Sequence, residues 1–325
     1  MSIVNKGKDV GPTGPIHRLL ALSAGGDRGA VLVGMLHGLY KCKGRDRVDW
    51  DQVSGISAGA IVGGLVSQTL PQTFDSKMEL ARDLFEVGGF HVVQPHTRWG
   101  FYVNAIDAVW YYDSLYSNEP MKKMINDHFN EGLCYTDLTV GAYNKDSCEY
   151  EIFKDDLHRA ILASASVPIV LPAVQIGEHK YQDGGMRHII PVQEIFEFIE
   201  RNENKCSVDV MICYPVSCYE LFFKATTPVG YLPLIEEAFR VMTDQMLSTL
   251  NNDLKELARY LGITFDEIRE KTCNTFKKGE VTINLFSPED AVFTNFTDIK
   301  PQQMKNMYDG GKRVVMEYLN TKLSF

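Results

Sequence analysis

A serine stands between two glycines where an apolar strand would give way to a helix of small residues. Residues 48–65 read VDWDQVSGISAGAIVGGL, and a G-x-S-x-G motif runs from Gly55 to Gly59 with Ser57 at its centre. Such a turn between a strand and a helix is a nucleophile elbow, which lifts the serine hydroxyl out of the sheet edge. The glycines are needed because a Cβ there would collide with the neighbouring strand and helix. Ser57 is therefore a candidate nucleophile at a helix N-terminus, where unpaired N–H groups favour the negative charge of an acyl-transfer intermediate.

A glycine-rich loop, residues 23–29 (SAGGDRG), lies upstream between a predicted strand, His17–Leu22, and a predicted helix over residues 30–41. Such loops often bind phosphate, but this one matches neither G-x-G-x-x-G nor G-x-x-x-x-G-K-[ST]. Another use of such a loop is to direct backbone N–H groups at an oxyanion. Two successive strand–turn–helix units predict parallel strands, so the loop at Gly25 and Ser57 should meet at the carboxyl edge of one sheet.

Two acidic turns are the other candidates for chemistry. Asp183 precedes Gly184 and Gly185, and the sequence leaves two interpretations open: a turn in which the Asp side chain bonds its own backbone, or a catalytic carboxylate. Asp155 and Asp156 precede a helical pattern and are better explained as a helix start than as paired acids, because acidic residues favour that end of a helix.

Composition limits the class of protein. The chain has 325 residues, 45% of them hydrophobic, which is enough for one large α/β domain or two small ones. A net charge of -9 without blocks of like charge argues against nucleic acid and makes any membrane contact mainly apolar. Seven cysteines without a C-x-x-C pair predict reduced, mostly buried thiols in the cytosol. No secretory or membrane-spanning stretch is evident. The expectation is a cytoplasmic protein in peripheral contact with membranes, or one that is exported by a route not written in the sequence.

The rest of the pattern predicts one domain over residues 16–325 that follows a flexible arm over residues 1–15. Alternation and apolar spacing predict the following strands and helices: strands 136–140, 149–153, 208–214 and Val281–Phe286, and helices 192–201, 232–261 and 302–319. Nine aromatic side chains crowd the segment from Phe85 to Tyr116. They fit either helices that cap the core or a cap over the site that also touches lipid.

Four of these features, in this order, resemble the patatin-like lipid acyl hydrolases. The loop 24–29 stands in place of the family's G-G-G-x-[RK]-G, and residues 55–59 match the family's nucleophile elbow. Residues 163–168 are similar to the family's segment of small residues before a proline, and residues 183–185 match its D-G-[GA]. Pro191 follows at the family's spacing, and residues 112–124 are similar to its connecting segment. The resemblance covers about residues 16 to 215.

The resemblance implies a three-layer α/β/α fold with a mostly parallel central sheet, and a dyad of Ser57 and Asp183 without histidine. The sequence supports the dyad because His188 is the only histidine after Asp183 and lies too near it to be an obvious third member. The other expected roles are an oxyanion hole at Gly25, Gly26 and Ala58, with motif support from Arg28, Gly29, Gly55, Gly59, Gly184 and Gly185. Arg28 would anchor the loop or contact a lipid head group. No metal or cofactor is expected, since no H-E-x-x-H motif or carboxylate cluster is present.

The implied activity is that of a serine hydrolase of lipid metabolism, a phospholipase A-type enzyme whose partner is phospholipid met in transient contact with a membrane surface. Two alternatives stay open: a general esterase or thioesterase with the same dyad, and a catalytically silent lipid-binding or scaffold protein on this fold. The sequence leaves the oligomeric state open.

Three residues depart from the family pattern. Ala24 replaces the first glycine of the loop and cannot take a positive φ cheaply. Asp27 puts a carboxylate near the expected oxyanion region unless it points to solvent, and Ile189 occupies a position where asparagine is usual. None of them removes a reacting group.

Overall fold

The computed structural model describes residues 16–88, 94–95, 114–216, 233–289 and 301–323. A nine-stranded sheet organises them in the order β10-β11-β9-β1-β2-β5-β8-β7, with β6 also paired to β5. The strands are β1 (His17–Leu22), β2 (Gln52–Ile56), β5 (Asp137–Asn144), β6 (Tyr150–Phe153), β7 (Val174–Ile176), β8 (His179–Asp183), β9 (Cys206–Met211), β10 (Cys273–Lys278) and β11 (Val281–Phe286). A separate two-stranded ribbon joins β3 (Gln94–Pro95) to β4 (Tyr116–Ser117).

Helices form the outer layers. They are α1 (Gly29–Lys43), α2 (Ala58–Ser67), α3 (Phe74–Gly88), α4 (Glu119–His128), α5 (Leu157–Ser164), α6 (Val192–Arg201), α7 (Pro233–Leu261), α8 (Phe265–Arg269) and α9 (Pro301–Leu323). Contacts join α1 to α2, α3 and α9, and a second set joins α7 to α6 and α8. None of the helices in the described ranges is both long enough and apolar enough to cross a membrane.

The centre of the sheet is parallel: β11, β9, β1, β2 and β5 run in one direction. Their residues are almost all buried, as expected for strands covered by helices on both faces. The prediction of a three-layer α/β/α fold with a mostly parallel sheet is therefore confirmed. The remaining strands, β6, β7, β8 and β10, pair in antiparallel fashion with their neighbours.

The register of β5 explains how two distant parts of the chain meet. Gly141 of β5 is paired with Ile56, the last residue of β2, and the next residue, Ala142, is paired with Asp183, the last residue of β8. Gly141 and Ala142 also pair with β6, which occupies one edge of β5. β2 and β8 therefore share the other edge of β5, one after the other along the strand. The ends of β2 and β8 are thus brought together along one edge.

Most of the predicted elements are confirmed, with differences at their ends and between them. The strand predicted over residues 208–214 spans Cys206–Met211, and β10 was not predicted. The helix after Asp156 begins at Leu157, but Asp156 takes φ 49° and its side chain accepts no capping hydrogen bond. Its carboxylate pairs instead with Arg159 at 2.8 Å. The segment after Pro168 turns at Ile169 (φ 70°), and β7 starts at Val174.

The prediction that the cysteine thiols are mostly buried holds for only half of the cysteines in the described residues. Among the six cysteines in the described residues, all unpaired, three are buried, two are half-buried and Cys148 is exposed. The predicted arm over residues 1–15, and the aromatic residues of the predicted cap other than Phe85 and Tyr116, lie outside the described residues. The single domain over residues 16–325 and the cap therefore stay predictions.

Close contact between α1 and α9 yields a first testable prediction. A Cβ on Gly311 of α9 would collide with the carbonyl oxygen of Val31 in α1, whereas a Cβ on the adjacent Gly310 would meet nothing within 4 Å. Gly311→Ala should therefore lower the free energy of unfolding by about 1–3 kcal/mol, because backbone must move. Gly310→Ala should raise it by up to about 1 kcal/mol, because alanine favours the helix. Urea unfolding of the two variants checks this, and equal effects would contradict the described contact.

Candidate active site

The elbow is formed as the motif predicts. Ser57 is the single residue between β2 and α2, with φ 56° and ψ -121°, a conformation that non-glycine residues rarely adopt. A Cβ on Gly55 would collide with the carbonyl oxygen of Gly59, and one on Gly59 with that of Leu22 in β1. Strained conformations of this kind persist where the surroundings enforce them, and they cluster at functional sites.

Ser57 and Asp183 are in direct contact. The Ser57 hydroxyl donates a hydrogen bond of 2.6 Å to Oδ2 of Asp183, and both residues are buried, at 2% and 3% exposure. The other carboxylate oxygen, Oδ1, accepts a hydrogen bond of 2.7 Å from the backbone N–H of Gly185. The turn interpretation of Asp183 is therefore observed, since one oxygen closes the turn, while the other oxygen accepts a hydrogen bond from the serine.

Burial changes the basicity of this carboxylate. Removal from water raises the pKa of Asp183 to about 7, while the hydrogen bonds from Ser57 and Gly185 act in the opposite direction. An aspartate in water has a pKa of about 3.9 and is a weak base. The buried carboxylate is a stronger base than that, and it is in hydrogen-bond contact with a hydroxyl.

The segment of small residues, 163–168, supports the elbow through hydrogen bonds that the sequence did not predict. The Ser164 hydroxyl accepts a bond of 2.8 Å from the backbone N–H of Ser57 and donates one of 2.6 Å to the carbonyl of Gly141. The carbonyl of Ser166 accepts from the N–H of Asp183 at 3.0 Å. This segment was recognised only by its resemblance to the family, and the side chain that acts, Ser164, carried no further signal.

The glycine-rich loop lies at the end of β1, the strand beside β2. In the described parts of the chain, the backbone N–H groups of Gly25, Gly26 and Ala58 have no protein acceptor. Gly26 takes φ 57°, so the positive φ falls there and not at Ala24, whose N–H instead donates to the carbonyl of Ile189 at 2.8 Å. The substitution of glycine by Ala24 is therefore tolerated by the backbone.

Asp27 and Arg28 form a buried pair beside this loop. The Asp27 side chain is 3% exposed, so it does not point to solvent, and its Oδ1 lies 3.6 Å from a guanidinium nitrogen of Arg28. The guanidinium also lies over the ring of Tyr214, 5.3 Å from its centroid. Asp27 thus has a counter-charge beside it, although neither of its oxygens has a hydrogen-bond partner among the described residues. Arg28 is built into the structure as a loop anchor would be.

His188, the only histidine that follows Asp183 in the sequence, is engaged elsewhere. Its Nδ1 lies 2.8 Å from Oδ1 of Asp253, and its Nε2 lies 3.3 Å from the side-chain amide of Gln193. Burial works to lower the pKa of His188, but the hydrogen bond and charge of Asp253 outweigh it, so the pKa is raised. Neither ring nitrogen contacts Ser57.

A small apolar cavity of about 20 Å³ lies beside α2. Its walls include Ile61 and Leu65 of α2, Leu84 of α3, Met124 of α4 and Phe129. Ser57 is not among its lining residues, although Ile61 is one helical turn away from Ser57. No group of three or more metal-ligating side chains is found among the described residues.

These features define an α/β protein with a nucleophile elbow in which the serine contacts an aspartate. The family model for patatin-like phospholipase matches residues 20–196, more than half of the chain. The chain belongs to the patatin-like phospholipase family.

Two solved structures are similar over most of this chain. VipD from Legionella pneumophila is 13% identical with a TM-score of 0.43, and the alignment covers 95% of this chain and 67% of VipD. The type III effector protein ExoU is 14% identical with a TM-score of 0.33, and 95% of this chain and 53% of ExoU are covered. This chain thus spans about half the length of ExoU. A search of curated proteins finds no match.

Proposed function

We propose that the protein is a lipid acyl hydrolase of phospholipase A type that acts through Ser57 and Asp183. The observation that carries this proposal is the 2.6 Å hydrogen bond from the Ser57 hydroxyl to the buried Asp183 carboxylate, at a turn that holds the serine at φ 56°. A nucleophile and a base within hydrogen-bond reach, with the base fixed by a third group, is the arrangement used for covalent catalysis. The third group here is the N–H of Gly185.

In the first half of the reaction, Ser57 Oγ attacks the ester carbonyl while Asp183 Oδ2 takes the hydroxyl proton. The negative charge moves to the carbonyl oxygen, where the free N–H groups of Gly25, Gly26 and Ala58 are the available donors. The N-terminus of α2, which begins at Ala58, adds its dipole to the same region. When the intermediate collapses, the bond to the leaving alcohol breaks, and that alcohol takes the proton from Asp183.

In the second half, Asp183 takes a proton from a water molecule, and the resulting nucleophile attacks the acyl group on Ser57. The acid is released, and Ser57 recovers its proton from Asp183, so both residues return to their starting state. A single carboxylate serves as base and then acid in each half, as microscopic reversibility requires. No histidine takes part in these steps.

A lipid substrate is supported by the family to which the chain belongs. With a net charge of -9, attraction to anionic lipid is weak, so contact with a membrane surface would depend on apolar side chains. Such contact would be transient and peripheral.

Comparison of three substrates tests the proposal. Turnover of phosphatidylcholine vesicles, a water-soluble short-chain ester and an acyl thioester would be measured with the wild type and Ser57→Ala. Release of free fatty acid from vesicles, at a higher rate than from the soluble ester and absent in Ser57→Ala, is the expected result. Preference for the soluble ester or the thioester would favour a general esterase or thioesterase. Failure of a fluorophosphonate probe to label Ser57 would instead favour a silent lipid-binding protein.

The pH dependence follows from the raised pKa of Asp183, about 7. The carboxylate must be ionised to accept the serine proton, so kcat/KM should fall as the pH drops below about 7 and should level off above it. The buried Glu194 also has its pKa raised by burial to about 7, and it accepts a hydrogen bond from Tyr150 at 2.8 Å, away from Ser57. Glu194→Gln should therefore keep the acidic limb of the pH profile. If Glu194→Gln lost the acidic limb, the limb would belong to Glu194 and not to Asp183.

A further inference from the structure

Asp253 lies on α7, outside the residues that the family model matches, yet its side chain reaches the backbone beyond the Asp183 turn. Its Oδ2 accepts hydrogen bonds from the backbone N–H groups of Ile189 at 2.6 Å and Ile190 at 2.9 Å. Its Oδ1 lies 2.8 Å from Nδ1 of His188. One carboxylate, 1% exposed, thus holds three consecutive residues.

The segment that Asp253 holds, residues 184–190, begins directly after Asp183. The N–H groups of Arg187 and His188 both donate to the carbonyl of Gly184, at 2.9 and 3.0 Å, and they close the turn into a compact unit. Any movement of the segment is therefore transmitted to the turn that sets the direction of the Asp183 side chain.

The far end of the same segment supports the glycine-rich loop. The carbonyl of Ile189 accepts a hydrogen bond of 2.8 Å from the N–H of Ala24, the residue before Gly25. The turn and the loop also pack closely, because a Cβ on Gly185 would lie 3.3 Å from the Ala24 Cβ and 3.5 Å from Ile189 Cδ1. The proposed base and the proposed oxyanion donors therefore share one backbone support.

Packing alone does not account for an aspartate at this place. A buried carboxylate loses its hydration, which a leucine at the same position would not. The loss is offset here by bonds from two N–H groups and from the His188 ring, and bonds to a charged acceptor are stronger than neutral ones. The carboxylate thus has a specific set of partners, all of them in the segment between the base and the loop.

We propose that Asp253 is a positioning residue that fixes Asp183 and the loop at Gly25 and Gly26 relative to each other. The proposal rests on the proposed function for its kinetic consequence, but its structural consequence can be measured separately.

Asp253→Ala leaves two buried N–H groups without an acceptor, so the segment should relax and carry the turn and loop with it. Misplacement of reacting groups by about 1 Å costs on the order of 100-fold in rate. We expect kcat on a soluble short-chain ester to fall by about that factor, with KM little changed. Asp253→Asn keeps the shape and one acceptor oxygen, so it should fold and should give a kcat between those of the wild type and Asp253→Ala.

Leu254→Ala is the matched control. Leu254 is the next residue on α7 and is 1% exposed, so its truncation should cost about 2–5 kcal/mol of stability. It removes none of the hydrogen bonds described above. At a temperature where all variants are folded, Leu254→Ala should keep nearly the kcat of the wild type. A kcat loss as large as that of Asp253→Ala would make the effect one of stability and would overturn the proposal.

Hydrogen exchange gives a readout that does not depend on turnover. Peptides covering residues 23–29 and 184–190 should both exchange faster in Asp253→Ala and Asp253→Asn, whereas in Leu254→Ala the increase should stay within α7. Unchanged exchange at residues 23–29 in both Asp253 variants would overturn the proposed coupling. If the wild type hydrolysed no ester at all, the proposed function would fail, and the exchange data would still decide whether Asp253 holds the turn and loop together.

Discussion

Asp183→Asn is expected to give a folded protein whose hydrolytic activity is lower by orders of magnitude and close to that of Ser57→Ala. The amide keeps the shape of the side chain and the oxygen that accepts from Gly185, but it cannot take the proton of the serine. The double variant should be scarcely worse than either single variant, because residues that act as one unit are not additive. The measurement is kcat/KM on one ester for the wild type and all three variants.

Stability provides the control for this prediction. In the unfolded chain an aspartate ionises at a pH of about 4, whereas the folded protein holds the Asp183 proton up to a pH of about 7. Ionisation of the buried carboxyl therefore removes stability as the pH rises from about 4 to 7, and the loss is complete above that range. Asp183→Asn should consequently unfold at a higher temperature than the wild type at pH 8. An active Asp183→Asn would make Asp183 a turn residue and would leave the base to be found elsewhere.

Gly26→Pro is expected to lower kcat by about 10²–10³, the usual cost of one oxyanion donor. Proline removes the N–H group, and its ring cannot adopt the φ of 57° at this position. Binding of substrate should change little, because the oxyanion exists only after the serine has attacked. The kinetic test is a loss in kcat with KM nearly constant.

Gly26→Ala separates the two effects of the proline. Alanine keeps the N–H group and bears the cost of a left-handed conformation, about 1–2 kcal/mol. It should therefore retain far more activity than Gly26→Pro. Tight, saturable binding of ATP or NAD that Gly26→Pro abolishes would instead identify the loop as a nucleotide site and would contradict its proposed role.

The local pattern of the chain was sufficient for the elements that hold the site. His17–Leu22 and the helix after it, the elbow at Ser57 and the helix over residues 192–201 all follow from apolar spacing and turn chemistry. These signals are short-range: they depend on residues within one or two turns of each other, and a linear sequence displays them directly. The order of four motifs then identified the family.

Contacts between distant residues could not be read in this way. The register that places Asp183 beside the end of β2 depends on which edge of β5 each strand occupies, and side-chain alternation carries no information on that choice. The hydrogen bond from the Ser57 N–H to Ser164 likewise depends on the fold, because the two residues are 107 positions apart in the sequence.

The three departures from the family pattern show most clearly what the sequence determined and what only the tertiary structure decided. The sequence determined that Ala24, Asp27 and Ile189 were unusual, but only the tertiary structure decided what each of them does. Ala24 avoids the positive φ because Gly26 takes it, and Asp27 has the counter-charge of Arg28 beside it. Ile189 binds through its backbone, to Ala24 and to Asp253. Backbone hydrogen bonds depend little on residue type, so their partners are set by the packing of the whole chain and not by the identity of residue 189.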